Sequence, residues 1–138
     1  MPTPESFTIE LAATPDTVGV ARAQIDRLAG ALSDQTMEDA RLLVSELVTN
    51  SLRHASLSPD QTIGLSFTLL DRSLRVEVRD PGPGFSPAIR GTRSTDDAGW
   101  GLFLVARLAN RWGVHHDGGN SVWFELDEAT MEASSDEP

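Results

Sequence analysis

Two neighbouring segments that alternate apolar and polar residues place the strongest constraint on the fold of this chain. Residues 63–69 and 74–80 both follow a period of two, and the short connection between them contains Asp71-Arg72-Ser73. A period of two predicts a strand with one buried face, and a short polar connection predicts an antiparallel hairpin. The apolar face of this hairpin needs a covering layer, because its side chains would otherwise stay in water.

The second strand of the hairpin ends on an acid at an inward position. Leu74, Val76 and Val78 share the apolar face, and by the same parity the next inward residue is Asp80. A buried carboxylate is unfavourable unless it accepts hydrogen bonds. The segment Asp80-Pro81-Gly82-Pro83-Gly84 is a good turn sequence, and its glycines also let a backbone approach a ligand closely. On its own, this segment indicates a turn more strongly than a binding site.

Three helices and three further strands are predicted around the hairpin. Thr14-Pro15-Asp16 is a helix start, with Thr14 as the N-cap, and apolar residues at helical spacing continue that helix to Ala31. A second helix begins near Thr36, with Asp39 completing a weakened capping box, and runs to about His54. The remaining elements are a third helix that follows Gly99-Trp100-Gly101 and ends before Gly113, and strands at residues 7–11, 112–116 and 121–126.

This order of elements predicts an α/β (α+β) two-layer sandwich, with a mixed, largely antiparallel sheet and helices on one face. At 138 residues the chain is long enough for one domain, which is expected to span residues 1–126. Residues 86–98 lack periodicity and are expected to form a lid of the length that functional loops have. Residues 127–138 are acidic and are expected to be a disordered tail.

The composition excludes several classes of chemistry. There is no cysteine, which excludes disulfides and thiolate nucleophiles, and all 11 basic residues are arginine, which excludes P-loop and Schiff-base mechanisms. The net charge of −10 argues against direct binding of nucleic acid. No apolar run approaches the roughly 18 residues of a membrane span. We therefore expect a cytoplasmic protein that contacts neither nucleic acid nor membrane.

The second helix carries a polar stripe beside its apolar face. Glu46 and Asn50 lie one turn apart, about 40° around the helix axis, with Arg53 close to the same line. A carboxylate and an amide oxygen in this arrangement could serve as a general base and as a ligand of Mg²⁺. The same stripe, taken alone, is more typical of a solvated helix face.

The start of the third helix is a candidate anion site. Gly99 and Gly101 could present backbone N–H groups and the positive end of the helix dipole to phosphates. The pair is not a dinucleotide-binding fingerprint, because Leu104 occupies the position of the third glycine. Arg90 and Arg93 lie in the predicted lid. Together with Arg53 of the second helix, they are the nearest candidates in sequence for a positive charge beside the phosphates.

The polar stripe of the second helix, the glycine-rich segment after Asp80 and the start of the third helix resemble, in this order, the motifs of one protein family. Glu46-Leu47-Val48-Thr49-Asn50 with Arg53-His54 is similar to the N-box of the histidine-kinase-like (GHKL, Bergerat-fold) ATPases. Asp80-Pro81-Gly82-Pro83-Gly84 resembles their G1 box, and Gly99-Trp100-Gly101-Leu102 resembles their G2 box. The resemblance covers nearly the whole chain, and the Glu-Leu-Val-x-Asn form is most similar to the stand-alone anti-sigma-factor serine kinases.

The resemblance implies a role for each candidate residue. Asn50 would bind Mg²⁺, Glu46 would be the general base, and Asp80 would accept a hydrogen bond from the adenine amino group of ATP. Gly82 and Gly84 would let the backbone pass close to the base. The other implied nucleotide-binding residues are Arg53, His54, Phe85, Gly99, Trp100, Gly101 and Leu102.

The function implied by the resemblance is that of an ATP- and Mg²⁺-dependent serine protein kinase. Its implied partners are a sigma factor, which it would sequester, and a small antagonist protein, which it would phosphorylate, and it would act as a monomer or as a homodimer. Two alternatives stay open. One is a nucleotide-gated binding module without phosphoryl transfer, and the other is a detached ATP-binding domain that phosphorylates a histidine on another chain. Glu46 favours the kinase over the gated module.

Overall fold

The structure, a computed structural model, describes residues 5–54, 60–81, 98–115 and 119–128. Its helices and strands follow the predicted order. No helix in these ranges is both long and apolar enough to cross a membrane. The elements are β1 (Glu5–Ala12), α1 (Thr17–Gln24), α2 (Asp34–His54), β2 (Thr62–Leu69), β3 (Ser73–Asp80), α3 (Ala98–Leu108), β4 (Arg111–His115) and β5 (Asn120–Asp127).

The five strands form one sheet in the order β1-β2-β3-β5-β4, and each neighbouring pair is antiparallel. The predicted hairpin is β2–β3, in which Leu69 pairs with Leu74 and Leu65 pairs with Val78. This register places the apolar side chains of both strands on the same face. The antiparallel two-layer architecture is therefore confirmed, and the parallel pairing of a mixed sheet is not found among the described strands.

Helix α2 is the central element of the helical layer. It packs against α1 and α3 and against β3 and β5. Its Leu43, Val44 and Val48 are fully buried in the same hydrophobic core as Val76 of β3 and Phe124 of β5. Burial of an apolar side chain of this size contributes about 1.5–3 kcal/mol of stabilisation. The polar stripe of α2 is therefore held on a helix whose position relative to the sheet is fixed by the core.

The first helix is shorter than predicted, and its N-cap prediction is wrong. The Thr14 hydroxyl donates a hydrogen bond to the Asp16 carboxylate at 2.7 Å, and the helix begins only after Asp16. The α-helical part ends at Gln24 and continues as a 3₁₀ turn over Ile25–Leu28. The helical run stops at Leu28, because the backbone of Ala29 is extended, and Gly30 follows with a left-handed φ of 91°.

Helix α2 begins two residues before the predicted Thr36, because Ser33 caps it. The Ser33 hydroxyl accepts a hydrogen bond from the Thr36 N–H at 3.2 Å, as an N-cap residue does. Asp39 does not close the predicted capping box, since its carboxylate accepts from the Gln35 side chain at 3.0 Å.

The folded domain extends past the predicted boundary at residue 126. Asp127 is the last residue of β5, and Glu128 is buried, with 8% of its surface exposed. The Glu128 carboxylate accepts from the Ser33 N–H at 3.1 and 3.2 Å and from the Ser33 hydroxyl at 3.3 Å. Its own N–H donates to the Arg72 carbonyl at 2.8 Å. The predicted tail therefore starts two residues too early, and residues 129–138 lie outside the described part of the chain.

The sheet face opposite the helices carries a ladder of ion pairs. Arg75 contacts Glu125 at 3.0 Å, and Arg111 contacts both Glu125 and Asp127. The hydrogen bond from Arg111, with a second from Arg75, lowers the pKa of the Glu125 carboxyl, although partial burial acts in the opposite direction. The ladder links β3, β5 and β4 across this polar face.

Candidate functional site

Helix α2 presents Glu46 and Asn50 at the margin of the core. Both side chains are half-buried, while Leu47 and Val48 between them are buried. Within the described residues, no hydrogen bond or ion pair engages the side chain of Glu46 or Asn50. Arg53, further along the same stripe, is exposed. The stripe is therefore a row of polar side chains at the edge of the core, and it becomes more exposed toward the end of α2.

Asp80 is the buried acid that the strand parity predicted, and 7% of its surface is exposed. Its Oδ2 accepts a hydrogen bond from the Ser51 hydroxyl at 2.7 Å, and its Oδ1 accepts one from the Asn120 amide nitrogen at 3.1 Å. These donors come from α2, which packs against β3, and from β5, which is the sheet neighbour of β3. Hydrogen bonds of this kind offset the cost of burying a carboxylate. The three side chains form what we call the Asp80 cluster, defined as Ser51, Asp80 and Asn120.

The Asp80 cluster joins two pieces that were separate in the sequence. Ser51 follows Asn50 directly on α2, so its bond to Asp80 brings the end of β3 against the polar stripe of the helix. Asn120 is the register partner of Asp80 in the β3–β5 pair. The cluster therefore ties the end of β3 to the helix that carries the polar stripe and to the start of β5.

Gly119 lets the β5 backbone approach the Asp80 cluster. Its φ is 150°, and a Cβ atom at this position would lie 2.5 Å from the Asp80 carbonyl oxygen. Such a contact requires the backbone of β3 or β5 to move. Glycine is therefore needed here for both its conformation and its lack of a side chain.

We expect Gly119→Ala to lower the free energy of unfolding by about 1–3 kcal/mol, because the new methyl group would displace the backbone beside Asp80. The measurement is urea denaturation followed by circular dichroism. Gly19→Ala is the matched control, since Gly19 lies in α1 with no atom near the position of an added Cβ. Equal effects of the two substitutions would contradict the close packing assigned to Gly119.

The start of α3 differs from the prediction. The helix begins at Ala98, so Gly99, Trp100 and Gly101 lie in its first turn instead of preceding it. The first backbone N–H groups of a helix have no partner within the helix and can bind an anion. Leu102 is buried in the hydrophobic core, with 3% of its surface exposed, so its side chain anchors the helix start. The roles predicted for these residues in nucleotide binding stay predictions.

Several predicted site residues lie outside the described part of the chain. This applies to the glycine-rich turn after Pro81, to the predicted lid and to the side chain at the end of α2. The residues concerned are Gly82, Gly84, Phe85, Arg90, Arg93 and the side chain of His54.

Two members of the Asp80 cluster could not be identified as site residues from the local sequence. Ser51 lies in the apolar arc of α2, where its spacing predicts a core position, and Asn120 lies in Asp117-Gly118-Gly119-Asn120, which is typical of a hairpin turn. One signal could have revealed Asn120. If the last strand pairs with β3 so that its apolar residues share the inward face, Asn120 falls opposite Asp80.

Comparison with known protein families gives one match over most of the chain. The model of the histidine kinase-like ATPase domain matches residues 11–126. The serine-protein kinase RsbW of Listeria monocytogenes serotype 4a (strain HCC23) is 30% identical over 132 residues, which cover 86% of this chain and 84% of the relative. RsbW of Staphylococcus aureus (strain bovine RF122 / ET3-1) is 29% identical over 107 residues, which cover 68% of this chain and 67% of the relative.

Solved structures share the fold. The RsbU and RsbW domains of a Mycobacterium tuberculosis protein superpose with a TM-score of 0.69 at 23% identity, covering 91% of this chain and 33% of that one. A blue-light activated histidine kinase of Erythrobacter litoralis superposes with a TM-score of 0.60 at 23% identity, covering 91% of this chain and 44% of that one. This chain therefore corresponds to one part of each of these longer proteins.

Proposed function

The chain belongs to the histidine kinase-like ATPase domain family, and we propose that it binds ATP and transfers the γ-phosphoryl group to a protein serine. The observation that carries this proposal is the buried Asp80, held against α2 by the residue that follows Asn50. The helix that carries the possible metal ligand therefore also holds the proposed base-recognising acid. The names of the RsbW relatives support serine as the acceptor.

Asp80 is proposed to accept a hydrogen bond from the amino group of adenine. A carboxylate only accepts hydrogen bonds, so an amino group is a suitable partner for it. Each Asp80 oxygen accepts a hydrogen bond within the Asp80 cluster, and these bonds keep the carboxylate in place. The predicted contacts of Gly82, Gly84 and Phe85 with the same base are part of this proposal.

The stripe of α2 fits a magnesium ion. Mg²⁺ prefers oxygen ligands and is usually held by one or two protein groups together with substrate phosphates and water. Asn50 offers an amide oxygen without a partner among the described residues, and Glu46 offers a carboxylate one turn away. We propose Asn50 as the ligand. When bound, the metal would neutralise phosphate charge.

The proposed transfer step assigns a role to each of these groups. The serine hydroxyl oxygen forms a bond to the γ-phosphorus, the bond from that phosphorus to the β,γ-bridging oxygen breaks, and ADP leaves. Glu46 takes the hydroxyl proton as general base. The first turn of α3, with Gly99, Trp100, Gly101 and the backbone of Leu102, is proposed to hold the phosphates. Arg53, His54, Arg90 and Arg93 are the proposed sources of further positive charge or hydrogen bonds.

We expect Asp80→Asn to weaken ATP binding about 10- to 100-fold. The substitution replaces one carboxylate oxygen by an amide NH₂ group, which would face the donors of Ser51, Asn120 or the adenine amino group instead of accepting hydrogen bonds from them. The measurement is isothermal titration calorimetry on protein whose fold is checked by circular dichroism. Asp39→Asn is the control, since Asp39 lies on α2 and, within the described part of the chain, accepts a hydrogen bond from the Gln35 side chain. Unchanged ATP affinity in Asp80→Asn would remove the base-recognition role.

The proposed partners follow the same family relationship. The serine substrate would be a small antagonist protein, and the sequestered partner would be a sigma factor, so the protein would regulate transcription in the cytoplasm. The protein is proposed to act as a monomer or as a homodimer.

The experiment that tests the function is incubation with γ-labelled ATP, Mg²⁺ and small candidate antagonist proteins. Acid-stable label on a serine of the antagonist is the expected result. Label on a histidine would indicate a detached histidine-kinase-type domain instead. ATP-dependent binding of a partner without label would indicate the nucleotide-gated module.

A further inference from the structure

We infer that Ser51 and Asn120 determine base specificity by holding Asp80 as an acceptor in one orientation. They are positioning residues, since they act on the base through Asp80. The inference rests on the proposed function, because Asp80 must face the base of a nucleotide. It assigns a role to two residues that were interpreted as core and turn.

The first support is that the Asp80 cluster is buried as a unit. Ser51, Asp80 and Asn120 are 8%, 7% and 3% exposed. Water competes poorly for hydrogen bonds at such positions, so the bonds within the cluster are strong and the side chains keep their rotamers. A buried carboxylate with two fixed donors cannot turn without leaving a donor unsatisfied, which is unfavourable.

The second support is the geometry of the two donors. Ser51 donates to Oδ2 at 2.7 Å, and Asn120 donates to Oδ1 at 3.1 Å. Each oxygen is therefore held separately, which fixes both the position and the rotation of the carboxylate plane. The donors also come from different elements, α2 and β5, so motion of one element alone does not release both bonds.

The chemical consequence is a preference for a 6-amino purine over a 6-oxo purine. An oriented carboxylate accepts from the amino group of adenine, whereas it repels the carbonyl oxygen that inosine carries at the same position. A carboxylate free to turn would lose part of the attraction and would also avoid part of the repulsion. The donors therefore affect the ratio of the two affinities, and not only the affinity for ATP.

The test compares ATP and ITP binding by calorimetry in the wild type and in Ser51→Ala. We expect the wild type to prefer ATP by about 100-fold or more, and Ser51→Ala to reduce this preference about tenfold. Ser45→Ala is the matched control, because the Ser45 hydroxyl lies on the same helix and, among the described residues, donates to the Arg41 carbonyl at 2.7 Å and not to Asp80. It should leave the preference unchanged.

Asn120→Ala provides the second arm, with Asn110→Ala as its control. Asn110 accepts from the Asp127 N–H at the other end of β5, away from the Asp80 cluster. Asn120→Ala should reduce the ATP preference, and Asn110→Ala should lower only stability. Should Asn120→Ala fail to fold, Ser51→Ala decides the test, since alanine is accommodated well within a helix.

The outcomes separate this inference from the proposed function. If the wild type binds ATP selectively but Ser51→Ala weakens ATP and ITP equally, the donors are structural and the inference is wrong. If the wild type binds both nucleotides alike, Asp80 does not read the base, and the inference is also wrong. If the wild type binds neither, the proposed function itself fails.

Discussion

Glu46→Gln is expected to lower the rate of phosphoryl transfer by about 100-fold or more, while ATP affinity stays within about twofold of the wild type. Glutamine keeps the length and shape of the side chain but cannot take the proton of the serine hydroxyl. Glu46 is half-buried on α2 and engages no partner among the described residues, so the substitution breaks no contact that holds the fold. The measurement is the initial rate of serine phosphorylation at saturating ATP, with calorimetry for binding.

Glu38→Gln is the matched control for this experiment. Glu38 is an exposed acid on the same helix, about two turns before Glu46, so its replacement changes the net charge by the same amount away from the site. Its transfer rate should equal that of the wild type. A Glu46→Gln variant that phosphorylates its partner at the wild-type rate would show that Glu46 lines the site without acting as a base.

Truncation after Leu126 is expected to lower the free energy of unfolding by about 2–4 kcal/mol, whereas truncation after Glu128 should change it by less than about 0.5 kcal/mol. The shorter chain loses a carboxylate that accepts three hydrogen bonds from Ser33 at the start of α2. It also loses the Asp127 contacts with Arg111 and Asn110. The longer chain keeps all of these contacts. The measurement is urea denaturation of the two truncated proteins.

Glu128→Ala in the full-length chain separates the carboxylate from the rest of the tail. This substitution should account for at least half of the decrease in the free energy of unfolding that truncation after Leu126 causes. The reason is that hydrogen bonds and a negative charge at a helix N-terminus contribute about 1–2 kcal/mol. Glu132→Ala changes the same residue type within residues 129–138 and serves as the control. Equal stability of the two truncated chains would contradict the role of Glu128 as a clamp between β5 and α2.

The candidate site could be predicted where its residues follow a local period. The parity of β3 placed Asp80 on the inward face, and the structure confirms its burial. Helical spacing placed Glu46 and Asn50 on one stripe, and both lie at the margin of the core on α2. In each case, the backbone geometry of one element is sufficient to decide which way a side chain points.

The groups that satisfy Asp80 could not be predicted in this way. Ser51 occupies a core position by its spacing on α2, and its polar function appears only because β3 ends beside that turn of the helix. Asn120 becomes a partner only because β5 inserts between β3 and β4, so that the strand order differs from the chain order. The sequence pattern of β5 by itself is equally compatible with a sheet in chain order.

The place of Asp127 and Glu128 in the fold could not be predicted from the local sequence either. Asp127 and Glu128 lie in an acidic stretch whose composition is typical of a disordered tail. Glu128 is nevertheless buried, because the end of β5 reaches the unsatisfied N–H groups at the start of α2. A carboxylate at a helix N-terminus is stabilised by the hydrogen bonds and the dipole there, regardless of the composition around it.

The sequence by itself determined the order of elements, the antiparallel hairpin, the stripe of α2 and the burial of Asp80. Periodicity decides these features because they depend on neighbours within a few residues. The tertiary structure alone decided which groups bond Asp80 and that Asp127 and Glu128 belong to the fold. The hydrogen bonds concerned join residues separated by 29, 40 and 95 positions in the chain. Contacts at such separations depend on strand order and helix packing, which no local period encodes.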